Sequence, residues 1–407
     1  MIRLLIIVIA SAAASAGALE ITPIAGIQAL GGAHFFRGER SALSGNADAV
    51  FAPAIRWSEN WALLPSARST YEGTRRAYDI LGTATPAQER MEHKLALRAV
   101  RADPMSRWRL KPGASYKLSF LNETKDEKWG QGLFDERLWT IGAEAEYLTR
   151  EPHSVRASVD WFDASYPNYT TLESQAATQF GGATVARELV GDRALDRSGA
   201  RLGVAFDLPA GERVRLDAGL STVWSRYGKQ KVVNEGGQFD ADSRADFLTA
   251  MTAAARMPHE WNADLKALAS LTLGMAVQSS NQNGYDASRG KFLPRFYDYR
   301  ELSITPAVRL IFGGAARVPV TVDLSLGWRR RSYGSRPAQS GAGLYDGGPL
   351  ATSEVNFTGT LTYPIVKRFS LVFSLERTSA RSNQRFERFY RYAYEATSAL
   401  AGFRWDW

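Results

Sequence analysis

The 407-residue chain carries 50 Lys and Arg against 42 Asp and Glu, a formal net charge of +8, with 35 Gly, 11% aromatic residues and no Cys. The missing Cys excludes a disulfide framework and thiolate chemistry, and past the N-terminus no apolar run of about 18 residues remains to form a membrane-spanning helix. A mean hydropathy of −0.26 suits an exported soluble β-protein and a transmembrane barrel equally, so residue order has to decide.

Residues 1–18 read as a signal peptide. Arg3 supplies the basic start, residues 4–10 the apolar stretch, and Ala16-Gly17-Ala18 a small-x-small cleavage site before Leu19. The mature part, 19–407, is expected to be one domain. Candidate strands follow at 24–36, 47–57, 61–71, 91–101, 107–121, 137–148, 154–163 and 197–206. Eight more lie at 213–226, 245–256, 264–278, 297–312, 318–331, 352–363, 368–377 and 391–407. Each alternates apolar and polar residues, the period of a strand with one apolar and one polar face. In one of them Val318, Val320, Val322, Leu324, Leu326 and Trp328 share a face, and Thr321, Asp323, Ser325, Gly327 and Arg329 share the other. The connections alternate in length, short at 58–60, 149–153 and 364–367, long at 72–90, 164–196 and 332–351.

Long strands with short turns at one end and long loops at the other form the layout of a bilayer-spanning β-barrel. A sandwich predicts shorter strands and no such asymmetry. The predicted fold is all-β: a single antiparallel transmembrane barrel of about sixteen strands, or eighteen if 164–196 holds a further hairpin. Two aromatic girdles support it. Tyr71, Phe120, Trp139, Trp161, Trp224, Phe247 and Trp328 lie toward the long loops, and Trp57, Trp61, Tyr147, Phe312, Tyr363, Phe369 and Trp405 toward the short turns.

On this layout the chain resembles the outer-membrane β-barrel superfamily, and its strand number is similar to that of general porins. Phe180-Gly181-Gly182 resembles the Phe-Gly-Gly turn of the general-porin constriction loop, which follows the fifth strand there and the seventh here. A glycine turn in a surface loop explains it more simply. In the final "AGFRWDW", Phe403, Trp405 and Trp407 share a face and resemble the C-terminal aromatic signal read by barrel-assembly machinery, with Trp407 in place of the usual Phe. The resemblance implies an outer-membrane location, contact with outer-membrane lipid and lipopolysaccharide, and no nucleic-acid partner.

Polar faces would line the lumen. The expected lining charges are Glu144, Glu146, Arg156, Asp160, Arg201, Arg215, Asp217, Lys266, Glu301, Arg309, Asp323 and Arg329. Turn lengths place Glu146 opposite Arg156 and, with Phe312 paired to Val318, Glu301 opposite Arg329. Arg201 and Asp217 are expected within reach of each other. Balanced signs suit cross-strand ion pairs, whereas a selectivity zone shows one sign in excess. Inward Gly142, Gly199, Gly203, Gly219, Gly274 and Gly327 argue against a lumen packed shut. The long-loop rim is crowded with Arg330, Arg331, Arg336, Arg381, Arg385, Arg388 and Arg391, whose forks match phosphate.

No catalytic residue, cofactor or metal site is assigned. There is no G-x-S-x-G, His153 and His259 fall in short turns, and His34 and His93 lie on non-adjacent strands. The segment "SYPNYTTLESQ" (165–175) could stack on a sugar or pack on itself. The expected function is passive passage of small hydrophilic, in the sharper form anionic, solutes. The alternatives are the outer-membrane conduit of a surface-polysaccharide export system, working with periplasmic export components, and a structural or adhesive surface barrel.

Overall fold

The computed structural model describes residues 19–407 except 38, 41–43, 81–82, 104, 125, 150–152, 171–177, 181–182, 186–190, 212, 287–290, 314–317 and 387–391. The expected signal peptide, Gly181, Gly182, Arg388 and Arg391 therefore lie outside the described residues. Among the described residues no helix is long and apolar enough to cross a membrane.

Sixteen strands close into one antiparallel barrel. The first half comprises β1 (Ala25–Phe36), β2 (Ser44–Phe51 and Ala54–Arg56), β3 (Trp61–Glu72), β4 (Glu89–Ala102), β5 (Trp108–Asn122), β6 (Glu136–Leu148), β7 (Ser154–Ser165) and β8 (Arg197–Ala210). The second comprises β9 (Val214–Val233), β10 (Phe239–Asn262), β11 (Leu265–Ser280), β12 (Tyr299–Phe312), β13 (Val320–Gln339), β14 (Tyr345–Val366), β15 (Phe369–Ser382) and β16 (Tyr394–Asp406). β1 pairs with β16 from Gly26↔Asp406 to Phe36↔Ala396, leaving no open sheet edge. The seam is tight at Gly402, where a Cβ would collide with the Ala29 carbonyl oxygen.

Differences from expectation lie at strand ends. β9, β10, β13 and β14 reach 20, 24, 20 and 22 residues. Apolar alternation stops where lipid stops, but backbone pairing continues beyond it. β2 breaks at Ala52-Pro53, because Pro53 has no N–H for the ladder; Ala52 N donates to Ile24 O instead (2.8 Å). The hairpin suspected within 164–196 exists, as Thr178–Phe180 paired with Ala183–Val185. It forms its own two-stranded sheet and does not join the wall, so the barrel has sixteen strands, not eighteen.

The apolar faces point outward. Trp139, Ile141, Trp161, Leu202, Trp224 and Met251 keep 47–57% of their surface exposed. A continuous belt of this kind is stable only against hydrocarbon, and the molecule is a β-barrel of the outer-membrane type. Outward aromatic pairs mark both rims of the belt: Tyr116–Trp139 (4.4 Å) toward the long loops, Trp57–Trp61 (6.0 Å) and Trp108–Tyr147 (4.9 Å) toward the short turns.

Long loops shape the mouth. After β3 the chain turns inward across β2 and β1: Gly73 N donates to Gly45 O (2.8 Å) and the Arg75 guanidinium lies over the Phe36 ring (4.8 Å). Arg76 then bridges Glu72 (3.1 Å) and Glu376 of β15 (2.5 Å). The loop after β7 packs on itself, with Tyr166 and Tyr169 buried against Ala194, Leu195, Leu133 and Phe134. Those two rings are therefore not presented to a ligand; 171–175 lie outside the described residues.

Candidate functional site: the charged lumen

Strand parity and register together assign every wall residue to lipid or lumen. One row reads Arg98↔Gly113↔Gly142↔Asp160↔Arg201 across β4 to β8. All twelve expected lining charges sit on the inward parity of their strands. The same rule, applied to β4 and β5, adds Lys94, Arg98, Lys111 and Lys117, which the sequence reading had not singled out.

Toward the short-turn end the inward charges are paired. Lys111 binds Glu144 (2.7 Å) and Glu146 (2.9 Å), Arg256 binds Asp217 (3.4 Å), Lys266 binds Glu260 (3.1 Å) and Arg309 binds Asp323 (2.5 Å). Arg215 is bound to Asp207. Toward the long loops, Lys117 binds Glu136 (2.8 Å) and Glu92 (3.4 Å), Arg329 binds Glu354 (3.0 Å) and Arg331 binds Glu301 (2.8 Å).

Two expected partnerships are corrected. Glu301 opposes Arg331, not Arg329, because Phe312 pairs with Val320. Val318 and Pro319 belong to the turn, where a proline that cannot donate costs the ladder nothing. Arg201 opposes Val223 while Asp217 opposes Asp207; the tight β8–β9 turn sets them six residues apart in register. Glu146 does oppose Arg156, yet they form no ion pair, since Lys111 and Arg109 hold Glu146.

Between the paired ends, lone charges remain. Lys94, Arg98 and Arg201 have no ion pair among the described residues; Arg156, opposite Glu146 nearer the short turns, has none either, and its Nε is buried without a hydrogen-bond partner. Asp160 is the lone carboxylate among them, lying over Gly142. These groups surround a recess of about 320 Å³ on the β4–β8 wall, lined by Lys94, Arg98, Lys111, Lys117 and Arg201 against Glu144 and Asp160. A second recess continues it through shared Asp160 and Arg201 toward Arg197 and Tyr227. At Gly199 a Cβ would collide with the Trp224 carbonyl oxygen, and the Phe162 ring lies across the position (2.8 Å). On the facing arc Ser270, Thr272, Ser303, Thr305, Ser325 and Thr358 lie on the inward parity at mid-height, and the row through Ser325 and Thr358 ends at Glu376, which Arg76 holds.

The histidines do not converge. His34 faces the lumen and shares a hydrogen bond with Ser398 (2.9 Å), whereas His93 faces outward beside Ser69 (2.9 Å). Among the described residues no cluster of His, Asp and Glu could hold a metal. The rim arginines divide by parity. Arg330, Arg331 and Arg336 all lie in β13, and Arg336 donates to Tyr392 Oη (2.6 Å).

No family model and no curated protein matches the sequence. Solved structures share the architecture at low identity. OccD3 of Pseudomonas aeruginosa is 8% identical with a TM-score of 0.44, covering 97% of this chain and 93% of its own. A bacterial polysaccharide outer membrane secretin is 8% identical with a TM-score of 0.44, covering 95% and 97%. An anion-selective porin from Comamonas acidovorans is 9% identical with a TM-score of 0.36, covering 96% and 100%. Likeness at this level is one of barrel architecture and carries no solute or partner across.

Proposed function

We propose that the protein is a passive outer-membrane channel for small hydrophilic solutes that favours anions. The observation that carries this reading is the group of lone cations at mid-wall. A cation already held by a carboxylate shows a passing ion little net field, whereas Lys94, Arg98 and Arg201, exposed to the lumen without partners, show theirs in full. The opposite arc offers mainly hydroxyl groups, and its carboxylate Glu376 is held by Arg76, which suits hydrated solutes that must also leave. Phe403, Trp405 and Trp407, outward on the closing strand, serve assembly in this reading and stay clear of the lumen. Planar-bilayer recording tests it: an open channel whose zero-current potential has the anion sign is expected. A closed barrel, or the cation sign, overturns it.

A gated conduit for export, with separate periplasmic components, is the second reading. It is favoured by the strap that follows β3, which Arg76 ties to Glu376 on the far side of the seam. Conductance that is small until this strap is cut would favour it over a freely open pore.

A further inference from the structure

We propose that the outer wall over β12–β15 carries a binding site for the phosphate groups of an outer-leaflet glycolipid. On β13 the outward residues run Val322, Leu324, Leu326, Trp328 and then Arg330: hydrocarbon contact, an interfacial ring, then a guanidinium. On β12 the outward run is Ile304, Leu302 and then Arg300. The register sets Arg330 beside Leu302 and Ser353, Ser353 beside Arg381, and Arg300 beside Ser332. Arg300 and Arg330 are thus diagonal neighbours, about 7–8 Å apart at Cα. Arg381 stands two strands from Arg330, about 10 Å away. Their long side chains can close on one phosphate or on two held by one head group.

Arg300, Arg330 and Arg381 are exposed, and none has an ion pair or hydrogen bond among the described residues. Their neighbour Arg377, also outward on β15, differs: Glu395 holds it (3.8 Å). Three like charges at one spot repel, and a lipid–water boundary screens them less than bulk water does. An anion bridging them removes that cost, and guanidinium forks match phosphate oxygens in pairs. Trp328, one outward position nearer the membrane centre, puts the cluster at head-group depth. That depth selects a phosphate anchored by acyl chains over a soluble anion. The site is on the lipid face and is independent of what the lumen carries.

The test uses full-length protein extracted from outer membranes and native mass spectrometry with added lipopolysaccharide, either phosphorylated or enzymatically dephosphorylated on its lipid A. Wild type, and an Arg137→Gln/Arg226→Gln control altered on the other side of the wall, should retain the phosphorylated form. Arg300→Gln/Arg330→Gln/Arg381→Gln should weaken retention by about tenfold or more, as loss of several charge-assisted contacts implies. Equal retention by the triple variant overturns the proposal. So does equal retention of dephosphorylated lipid by wild type, or displacement by millimolar inorganic phosphate, which marks a soluble-anion site. Unchanged heat-modifiability and conductance verify the fold. If the triple variant fails there, Arg330→Gln alone is read by the same criteria.

Discussion

Changing Lys94, Arg98 and Arg201 together to Gln should abolish the ion preference of the channel. Four lone cations, Lys94, Arg98, Arg156 and Arg201, stand against one lone carboxylate, Asp160, a net of +3. The triple substitution leaves Arg156 against Asp160, a net of zero. A unit charge about 8 Å from the ion path in water contributes roughly 0.5 kcal/mol, which screening at about 0.1 M reduces to roughly 0.2 kcal/mol. Three such charges favour an anion by roughly 0.7 kcal/mol and disfavour a cation by as much, together about tenfold in permeability ratio. The assay is the zero-current potential across a planar bilayer under a potassium chloride gradient. Wild type should show a clear potential of the anion sign, shrinking toward zero near 1 M salt, where the Debye length falls to about 3 Å. The triple variant should sit at zero in both. A variant that keeps the wild-type potential would refute the assignment of selectivity to this wall.

Arg244 is fully buried between Tyr227 (4.6 Å) and Tyr297 (4.3 Å) and donates to both carboxylate oxygens of Asp246 (2.9 and 2.8 Å). Arg244→Ala leaves that carboxylate buried without its cation, at a cost of about 3–5 kcal/mol, so the segment leading into β12 should become protease-sensitive while the barrel stays heat-modifiable. Glu376→Gln removes the anchor of Arg76 and should raise single-channel conductance or its noise; unchanged traces would count against the strap. Burial lifts the Asp298 carboxyl above its ordinary 3.8, and it accepts from Ser280 N (2.7 Å). A raised folded-state pKa gives stability that is present below the unfolded value and lost as pH rises through the folded one. Amide protection around Ser280 and Asp298, corrected for intrinsic exchange, should therefore fall as pH rises above the ordinary carboxyl value of 3.8, and Asp298→Asn should flatten the trend. Removing Trp407 takes away the N–H given to Ala25 O (2.8 Å) and the ring under Arg368 (4.5 Å). Assembled barrel should then drop, with surviving channels unchanged in ion preference.

The wall was legible in the sequence because a membrane barrel imposes one rule on every strand. Val318 to Trp328 shows that rule by itself, and parity alone sends Asp160 to the lumen and Trp161 to lipid. Register was legible only where the turn was unambiguous. It held at 149–153, where Glu146 meets Arg156, and slipped by two residues at 313–319, which moved Glu301 from Arg329 to Arg331. A slip of two keeps every side chain on its face but changes every partner. Faces can therefore be read while ion pairs cannot. The strap was not legible at all. Arg76 and Glu376 lie 300 residues apart, and no local pattern around either encodes the other.

The loneliness of Arg98 has its cause in the glycines beside it. Along the row from Arg98 to Arg201, the two strands after Arg98 present Gly113 and Gly142, positions where a carboxylate would have been the natural partner. The nearest acid in that row, Asp160, is three strands away, about 14 Å at Cα, beyond the reach of a 4 Å ion pair without both chains fully extended. Asp160 lies over Gly142 in the space its missing side chain leaves. One row nearer the short turns, the same strands carry Lys111 and Glu144 directly opposite each other, and there the pair forms at 2.7 Å. Glycine thus does two things on this wall. Gly142 gives Asp160 room to lie away from Arg201, which stands directly opposite it, and Gly113 with Gly142 withholds a counter-charge from Arg98, so both guanidinium groups face water, which is what a wall that attracts anions without trapping them requires.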